Sequence, residues 1–286
     1  MTTLGGLLRS ARESLAAAGV SSPDVDARII IEHFTGATRL DMAVEPSKTV
    51  GEAALADVQA AVFRRVAGEP VHRILGFRHF YGLKLVLSKD TLEPRPDTEA
   101  LVDAALPFVR SKLAAAGSCD VLDLGAGTGA IALAILREAP GARAIGVDIS
   151  SDALLTAAAN ARANGLEERY STLQSNWFSA VEGRFDVIVS NPPYIASRDI
   201  GALQPEVRDF DPLKALDGGE DGLDAYRKIA ESAAAHLAPN GVIGVEIGFD
   251  QRGSVTAIFQ QAGFAILSFY RDYGGNDRVI LFQKTE

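Results

Sequence analysis

The chain has very few of the residues that build disulfides and metal sites. Among its 286 residues there are one cysteine, Cys119, and four histidines, His33, His72, His79 and His236. A single cysteine excludes an internal disulfide, and these residues do not have the spacing of a metal site. We therefore expect neither a disulfide framework nor a bound metal.

The sequence also lacks a basic surplus and long apolar runs. It has 28 Lys and Arg against 37 Asp and Glu, a net charge of −9. Because nucleic-acid binding depends on neutralising phosphates, this balance argues against direct nucleic-acid binding, although a local basic patch stays possible. No run is long enough to cross a membrane, and residues 1–15 lack the basic and apolar regions of a signal peptide. We expect a cytoplasmic protein without a membrane partner.

What the chain does have is apolar content for a sizeable core, 47% of its residues. Residues 1–72 show helical periodicity interrupted by glycines, which predicts a small helical domain that contacts a substrate or partner. Along residues 73–92 the side-chain character alternates on both sides of Gly82, which predicts a β-hairpin linker. Residues 93–286 alternate strand and helix patterns, which predicts a catalytic domain of the α/β class.

Five basic residues concentrate near the predicted linker. They are Arg64, Arg65, Arg73, Arg78 and Lys84. A solvated surface is one interpretation, and a docking surface for an acidic partner is the other.

A glycine-rich segment follows the first strand of the predicted catalytic domain. Residues 119–124 have the pattern of a buried strand, and residues 130–137 have helical periodicity. A glycine loop between strand and helix is typical of a nucleotide site, because glycine lets the backbone approach a ligand closely. The predicted cofactor-binding residues of this loop are Gly125, Ala126, Gly127, Thr128 and Gly129.

Two carboxylates help to choose between the ligands that such a loop admits. Asp148 ends the next predicted strand, where an acid binds ribose hydroxyls. The loop also satisfies the relaxed dinucleotide pattern, so NAD is an alternative. Asp123 lies two residues before Gly125 and would oppose a pyrophosphate, whereas it suits the ammonium group of S-adenosylmethionine. We favour S-adenosylmethionine and include both acids in the predicted cofactor site.

The third strand of this domain ends at Asn176 and Trp177. Trp177 is the only tryptophan of the chain and is placed where an adenine would lie, although filling the core is the alternative. Asn176 would accept a hydrogen bond from the adenine amino group.

The predicted strand at residues 185–190 ends in the sequence Asn191-Pro192-Pro193-Tyr194. Two prolines have no N–H for a strand ladder and stiffen the turn. Asn191 Oδ1 and the Pro192 carbonyl are acceptors that suit a planar NH2 group, and Tyr194 would lie against its plane. The alternative is a strand-end turn with Tyr194 in the core. We predict that Asn191, Pro192 and Tyr194 are catalytic and that these three and Pro193 bind the substrate.

Two loops complete the predicted site. The segment 93–99, Glu-Pro-Arg-Pro-Asp-Thr-Glu, is predicted to begin a helix near Asp97. One interpretation is that it is only a helix start, and the other is that it also lies over the mouth of the cofactor site. The polar segment 203–222 is predicted to be an ordered loop over the substrate.

These motifs together resemble a known family. The segments 123–129, 191–194 and 93–99, the segment 272–278 and the helical front all resemble the HemK/PrmC type of class I S-adenosylmethionine-dependent methyltransferases. The resemblance implies a Rossmann-like seven-stranded sheet and methylation of the glutamine in the Gly-Gly-Gln motif of class I peptide chain release factors. It places Gly125 to Gly129, Asp148, Trp177 and Asn191 at the cofactor. Asn176 departs from the pattern, since relatives often have an acid there.

The expected chemistry is in-line attack of the glutamine nitrogen on the sulfonium methyl, with S-adenosyl-L-homocysteine as product. No residue of the turn is an obvious general base, and we expect the amide proton to leave after methyl transfer. A ribosomal-protein glutamine methyltransferase and a DNA or RNA amino-methyltransferase are alternatives. A non-catalytic binding protein is disfavoured by the glycine loop, Asp148 and Asn191 together.

Overall fold

The computed structural model describes residues 1–272 and 274–285. Its strands are β1 Phe77–Phe80, β2 Leu83–Val86, β3 Cys119–Leu124, β4 Ala142–Asp148, β5 Tyr170–Gln174, β6 Phe185–Ser190, β7 Leu237–Glu246, β8 Phe264–Arg271 and β9 Asp277–Lys284. Its α-helices are α1 Leu4–Ala17, α2 Pro23–Thr35, α3 Arg39–Val44, α4 Glu52–Val66, α5 Val71–Leu75, α6 Glu99–Ala116, α7 Ala130–Glu138, α8 Ser151–Ala163, α9 Pro205–Arg208, α10 Leu213–Leu216, α11 Asp224–His236 and α12 Arg252–Gln261. Short 3-10 turns cover Pro96–Thr98 and Ser197–Ala202. The predicted segment 272–278 includes Tyr273, which lies outside the described residues.

The chain divides into two compact units. The helical unit comprises Met1–Phe77 and the distant segment Gln204–Phe210. The sheet unit comprises Arg78–Leu203 and the described chain from Asp211 onward. None of the described helices combines the length and the apolar character needed to span a membrane.

The helical unit forms because apolar residues of α1, α2 and α4 share one buried core. Leu15, Ile30 and Val58 are fully buried in it. Thr3 caps α1 by accepting a hydrogen bond from the Gly6 N–H, and α2 ends at Gly36 in the left-handed conformation. Such start and stop residues fix helix ends. The short helices α3 and α5 were not predicted, and α5 occupies the first residues of the predicted linker.

The basic residues near the linker differ in exposure: Arg64 and Lys84 are exposed, as a solvated surface requires, whereas Arg65 is buried and departs from that prediction. Arg65 is 3% exposed and binds Asp26 at 2.7 Å and Glu206 at 2.6 Å within the helical unit. Arg64 binds Glu69 there, and Arg78 binds the buried Glu93 within the sheet unit. Because a buried guanidinium needs such partners, Arg65 belongs to the interior.

The large sheet of the described chain has seven strands in the order β5-β4-β3-β6-β7-β9-β8. The strands from β5 to β7 are parallel, and β9 pairs antiparallel with both β7 and β8. The predicted α/β class and Rossmann-like sheet are therefore confirmed. The strand order reverses between β3 and β6, which in open α/β sheets is where ligands bind.

Element bounds differ from the predictions mainly at irregular ends. The sequence pattern predicts a strand from Gly241 to Gly248, and the observed strand β7 begins earlier, at Leu237, because Leu237 pairs with Phe185 before the register shifts. The predicted loop 203–222 contains the short helices α9 and α10. The helix predicted near Asp97 begins as a 3-10 turn and continues as α6 from Glu99.

Candidate active site

The carboxyl ends of β3 and β6 meet at the point where the strand order reverses. Leu124 pairs with Ser190 at this edge, so the glycine loop and the Asn191 turn start side by side. The Ser190 hydroxyl donates to the Leu124 carbonyl at 2.7 Å and ties the two strand ends together. The two main predicted site segments are therefore brought together by strand register.

The glycine loop has a conformation that favours glycine. Gly125, Gly127 and Gly129 have φ values of 74°, 53° and 80°. A Cβ added at Gly125 or Gly127 would meet no described atom within 4 Å, whereas one at Gly129 would lie 3.2 Å from the Tyr170 hydroxyl. The first two glycines thus leave open space for a ligand, and Gly129 allows close packing below the loop.

The Asp148 carboxylate is oriented by backbone N–H groups. Gly127 donates to Oδ2 and Ser150 donates to Oδ1, both at 2.9 Å. The helix α8 is capped by the Ser150 side chain and does not need Asp148 for that purpose. Half-buried at the cavity wall, Asp148 is held in one orientation toward a ligand.

Asp123 lies beneath the loop and is not among the described residues that line the cavity. Its side chain is fully buried and accepts a hydrogen bond from the Ala132 N–H of α7 at 3.2 Å. Burial raises the pKa of Asp123 to about 7, opposed by that hydrogen bond. The observed contact is with the first turn of α7. The predicted contact with a ligand ammonium group stays a prediction.

Asn191 is held by an amide hydrogen bond behind the cavity wall. Its Nδ2 donates to Thr98 Oγ1 at 3.1 Å. Its side chain also lies near the buried Glu246, the last residue of β7, whose pKa is raised by burial and lowered by Thr98 and Asn191. With Nδ2 engaged in this way, Oδ1 is the end of the amide left to accept from a ligand.

Of the remaining turn residues, one lines the cavity wall and two pack toward the protein interior. Pro193 lines the cavity, whereas Pro192 is buried and is not among the described lining residues. Tyr194 packs in part against the core cluster that includes Tyr226. Burial raises the pKa of Tyr194 to about 12, so its hydroxyl stays protonated. Tyr194 is thus half-buried against the core, and its predicted contact with the plane of a ligand NH2 group stays a prediction.

A cavity of about 820 Å³ opens at this edge of the sheet, a size typical of sites for small ligands. The predicted residues that line it are Gly125, Ala126, Gly127, Thr128, Asp148, Asn176, Trp177, Asn191 and Pro193. The half-buried Trp177 also packs against the core, so both interpretations of this residue apply. Asn176 is exposed at the wall.

The two predicted loops contribute to the cavity only in part. Pro94, Arg95 and Thr98 line it, as the prediction of a loop over the mouth requires. The segment 212–219 supplies further wall residues, but Gln204–Phe210 belongs to the helical unit. Glu206 pairs with Arg65 of that unit, so the predicted loop is divided between the two units, and its place over the substrate stays a prediction.

Sequence reasoning missed residues that support the site from a distance. The fully buried Asn160 of α8 donates to the Thr128 carbonyl at 3.0 Å and to the Val86 carbonyl at 3.1 Å. Lys228 of α11 also lines the cavity. No local signal identifies either residue. Within the described ranges, no group of three or more His, Cys, Asp or Glu side chains could hold a metal ion.

Comparisons with known proteins agree with this architecture. The family model described as "Methyltransferase small domain" matches residues 98–204, and the one described as "PrmC N-terminal domain" matches residues 6–76. A solved methyltransferase structure from Pyrococcus furiosus has a TM-score of 0.52 at 18% identity, with 81% of this chain and 100% of that chain covered. At that identity the likeness supports the fold alone.

Curated relatives are similar over nearly the whole chain. A release factor glutamine methyltransferase of Agrobacterium fabrum is 54% identical over 282 residues, which cover 99% of this chain and 98% of the relative. One of Rhodospirillum rubrum is 44% identical, with 98% of this chain and 85% of the relative covered. Because relatives of 54% and 44% identity are matched over nearly the whole of this chain, this chain belongs to the release factor glutamine methyltransferase family.

Proposed function

We propose that this enzyme transfers a methyl group from S-adenosylmethionine to the side-chain amide nitrogen of the glutamine in the Gly-Gly-Gln motif of class I peptide chain release factors. The observation that supports it most is one cavity with the glycine loop on one side and Asn191 on the other. The relatives' description as release factor glutamine methyltransferases supports the proposed class of substrate, and the resemblance of the motifs implies the Gly-Gly-Gln glutamine. Release factors act in translation, so the proposal includes a cytoplasmic location.

The residues of the cavity fit the cofactor. The open space over Gly125 and Gly127 admits a ligand against the backbone. Asp148 is oriented to accept hydrogen bonds from ribose hydroxyls, and Trp177 and Asn176 line the wall where an adenine would bind. When bound, S-adenosylmethionine supplies an electrophilic methyl group on a positively charged sulfur.

The acceptor side of the cavity recognises an NH2 group. Asn191 Oδ1 accepts one of its hydrogen bonds, and Pro193 forms part of the wall beside it. A carboxylate in the same place would meet an acceptor and be repelled, so glutamine is preferred to glutamate. Holding the amide beside the cofactor contributes on the order of 7–11 kcal/mol through orientation.

Transfer of isotope-labelled methyl from S-adenosylmethionine tests the proposal. The acceptors are a class I release factor, the same factor with its Gly-Gly-Gln glutamine changed to glutamate, a ribosomal protein fraction and double-stranded DNA. We expect label on the intact release factor alone, located on the glutamine by mass spectrometry. Label on ribosomal protein or DNA, with none on the release factor, would overturn the proposed substrate.

A further inference from the structure

The amide of Asn191 has two ends, and recognition of an NH2 group needs the oxygen end to face the cavity. An inverted amide would present Nδ2, a donor, to another donor. Nδ2 donates to Thr98 Oγ1 at 3.1 Å, and no hydrogen bond within residues 1–272 and 274–285 ends on Oδ1. The question is what keeps this orientation.

Glu246 lies behind Asn191 and Thr98. Strand pairing places Ser190 opposite Val245, so Glu246 at the end of β7 is beside Asn191. Glu246 is 1% exposed, and the side chains of Thr98 and Asn191 lie close enough to its carboxyl group to lower its pKa, which burial raises. Its Oε2 is buried without a hydrogen-bond partner in the described chain. A buried acid with one unused oxygen is costly for stability, and here it lies directly behind Asn191 and Thr98.

We propose that Glu246 is a positioning residue that fixes the Asn191 amide through Thr98 and so makes the site selective for NH2 groups. An ionised carboxylate only accepts hydrogen bonds. The Thr98 hydroxyl has one proton, and donating it to Glu246 leaves its oxygen to accept from Asn191 Nδ2. Inversion of the amide would turn Oδ1 toward two acceptors. This inference rests on the proposed function for the chemistry of the acceptor.

The charge state of Glu246 decides the direction of this hydrogen-bond chain. Burial raises the pKa of Glu246 to about 7, opposed by the Thr98 hydrogen bond and by Arg278 of β9. Asp97 of the 3-10 turn raises the pKa further. The phenols of Tyr194 and of Tyr226 on α11 also face it, and both remain neutral because their pKa values are raised. A protonated Glu246 can donate to Thr98, which permits the inverted amide, so the orientation is lost as the pH falls through about 7.

The first test uses the full chain without cofactor or substrate. The side-chain amide resonances of Asn191 are identified by their absence in Asn191→Ala and are followed by NMR against pH. We expect them to shift with a midpoint near pH 7, and to lose that transition in Glu246→Gln. Chemical shifts that are independent of pH in the wild type would overturn the inference, whatever the result for methyl transfer.

The second test is turnover, with wild-type transfer to a glutamine acceptor measured first. Glu246→Gln is expected to lower kcat about tenfold or more, consistent with loss of one aligned hydrogen bond. Its Kd for S-adenosylmethionine should stay within about threefold of the wild type, a change too small to represent a lost hydrogen bond. Wild-type kcat should rise about tenfold from about pH 6 to about pH 8, as ionisation of one group requires, and Glu246→Gln should lack that rise.

Matched variants separate positioning from folding. The kcat of Thr98→Val should be as low as that of Glu246→Gln, whereas Thr98→Ser should recover activity because it keeps the hydroxyl. The double variant Thr98→Val with Glu246→Gln should have a kcat no lower than that of Thr98→Val alone. The control is Glu231→Gln at an exposed position of α11. A Glu246→Gln enzyme with wild-type kcat and pH profile would overturn the inference alone. A wild type that methylates no glutamine acceptor would overturn the proposed function, and the NMR result would then decide the inference.

Discussion

Asp123 is a carboxyl group that folding removes completely from water. In the described chain its side chain accepts one hydrogen bond, from the Ala132 N–H in the first turn of α7, while Oδ1 is buried without a partner. Burial, assisted by the negative charge of Asp148, raises the pKa of Asp123 to about 7. Asp123 therefore contacts the helix that follows the glycine loop. Burial of its ionised form lowers the free energy of unfolding, and this cost depends on pH.

The sign of that dependence follows from the raised pKa. Between about pH 4 and about pH 7 the folded protein keeps a proton that the unfolded chain has lost, so the stabilising contribution of the protonated form disappears as the pH rises through about 7. Asn keeps the acceptor for Ala132 without the charge. We expect Asp123→Asn to raise the free energy of unfolding by about 2–4 kcal/mol at pH 8 and by much less near pH 5.

Urea denaturation of wild type and Asp123→Asn at several pH values measures this difference. Asp120→Asn, which changes an exposed carboxylate of the same strand, is the control and should follow the wild type. Parallel stability curves for Asp123→Asn and wild type across this pH range would contradict the buried, charged state of Asp123.

At the scale of elements, β4 and β5 pack closely because β4 has a glycine at its centre. A Cβ at Gly146 would lie 2.0 Å from the Tyr170 hydroxyl oxygen and 2.8 Å from the ring carbon that bears it. The Tyr170 ring thus occupies the space that a side chain at Gly146 would need. The Tyr170 hydroxyl itself is buried without a hydrogen-bond partner in the described chain.

Gly146→Ala is expected to lower the free energy of unfolding by about 1–3 kcal/mol, the usual cost of overpacking a core. Tyr170→Phe alone should be neutral or slightly stabilising, because it removes an unpaired buried hydroxyl. In the Tyr170→Phe background the cost of Gly146→Ala should fall by about 1 kcal/mol. Thermal and urea unfolding of the four variants provide the double-mutant cycle.

Gly201→Ala is the matched control, since a Cβ there meets no described atom within 4 Å and the backbone is not left-handed. Strictly additive changes in the free energy of unfolding for Gly146→Ala and Tyr170→Phe would show that a side chain at residue 146 does not clash with the Tyr170 hydroxyl.

The elements that sequence could predict are those with strong local patterns. The apolar run of β6 followed by Asn191 and two prolines, and the glycine loop after β3, fix both their own structure and their place at the edge of the sheet. The strand Leu237–Glu246 began earlier than predicted because its first residues pair beyond a register shift. That pairing depends on a neighbouring strand and leaves no local pattern.

At the scale of the whole molecule, the chain passes twice through the helical unit. It leaves the sheet unit after Leu203, contributes Gln204–Phe210 to the helical unit, and returns at Asp211. Arg65 holds this segment by its ion pair with Glu206. The helical unit is therefore built from two distant parts of the sequence, which periodicity alone does not reveal.

The same limit applies to the candidate site. Residues within the loop and the turn were predictable because their chemistry and spacing are local. Thr98, Asn160 and Glu246 were not, because each acts on a site residue that is distant in sequence: Thr98 and Glu246 on Asn191, and Asn160 on Thr128. Partners of this kind follow from tertiary packing. The direct substrate and cofactor roles of Asn191, Asp148 and Trp177 stay predictions until they are measured.

We propose that one cavity binds both reactants: the glycine loop binds the cofactor, and Asn191 binds the acceptor amide. Asn191→Ala tests this most directly, with S-adenosylmethionine affinity measured by calorimetry and methyl transfer to a release factor measured on the same sample. We expect the Kd to stay within about threefold, less than the loss of one hydrogen bond, and turnover to fall by about 10²–10³ or more, as for loss of one precisely aligned polar group. Near-normal turnover by Asn191→Ala would contradict the account.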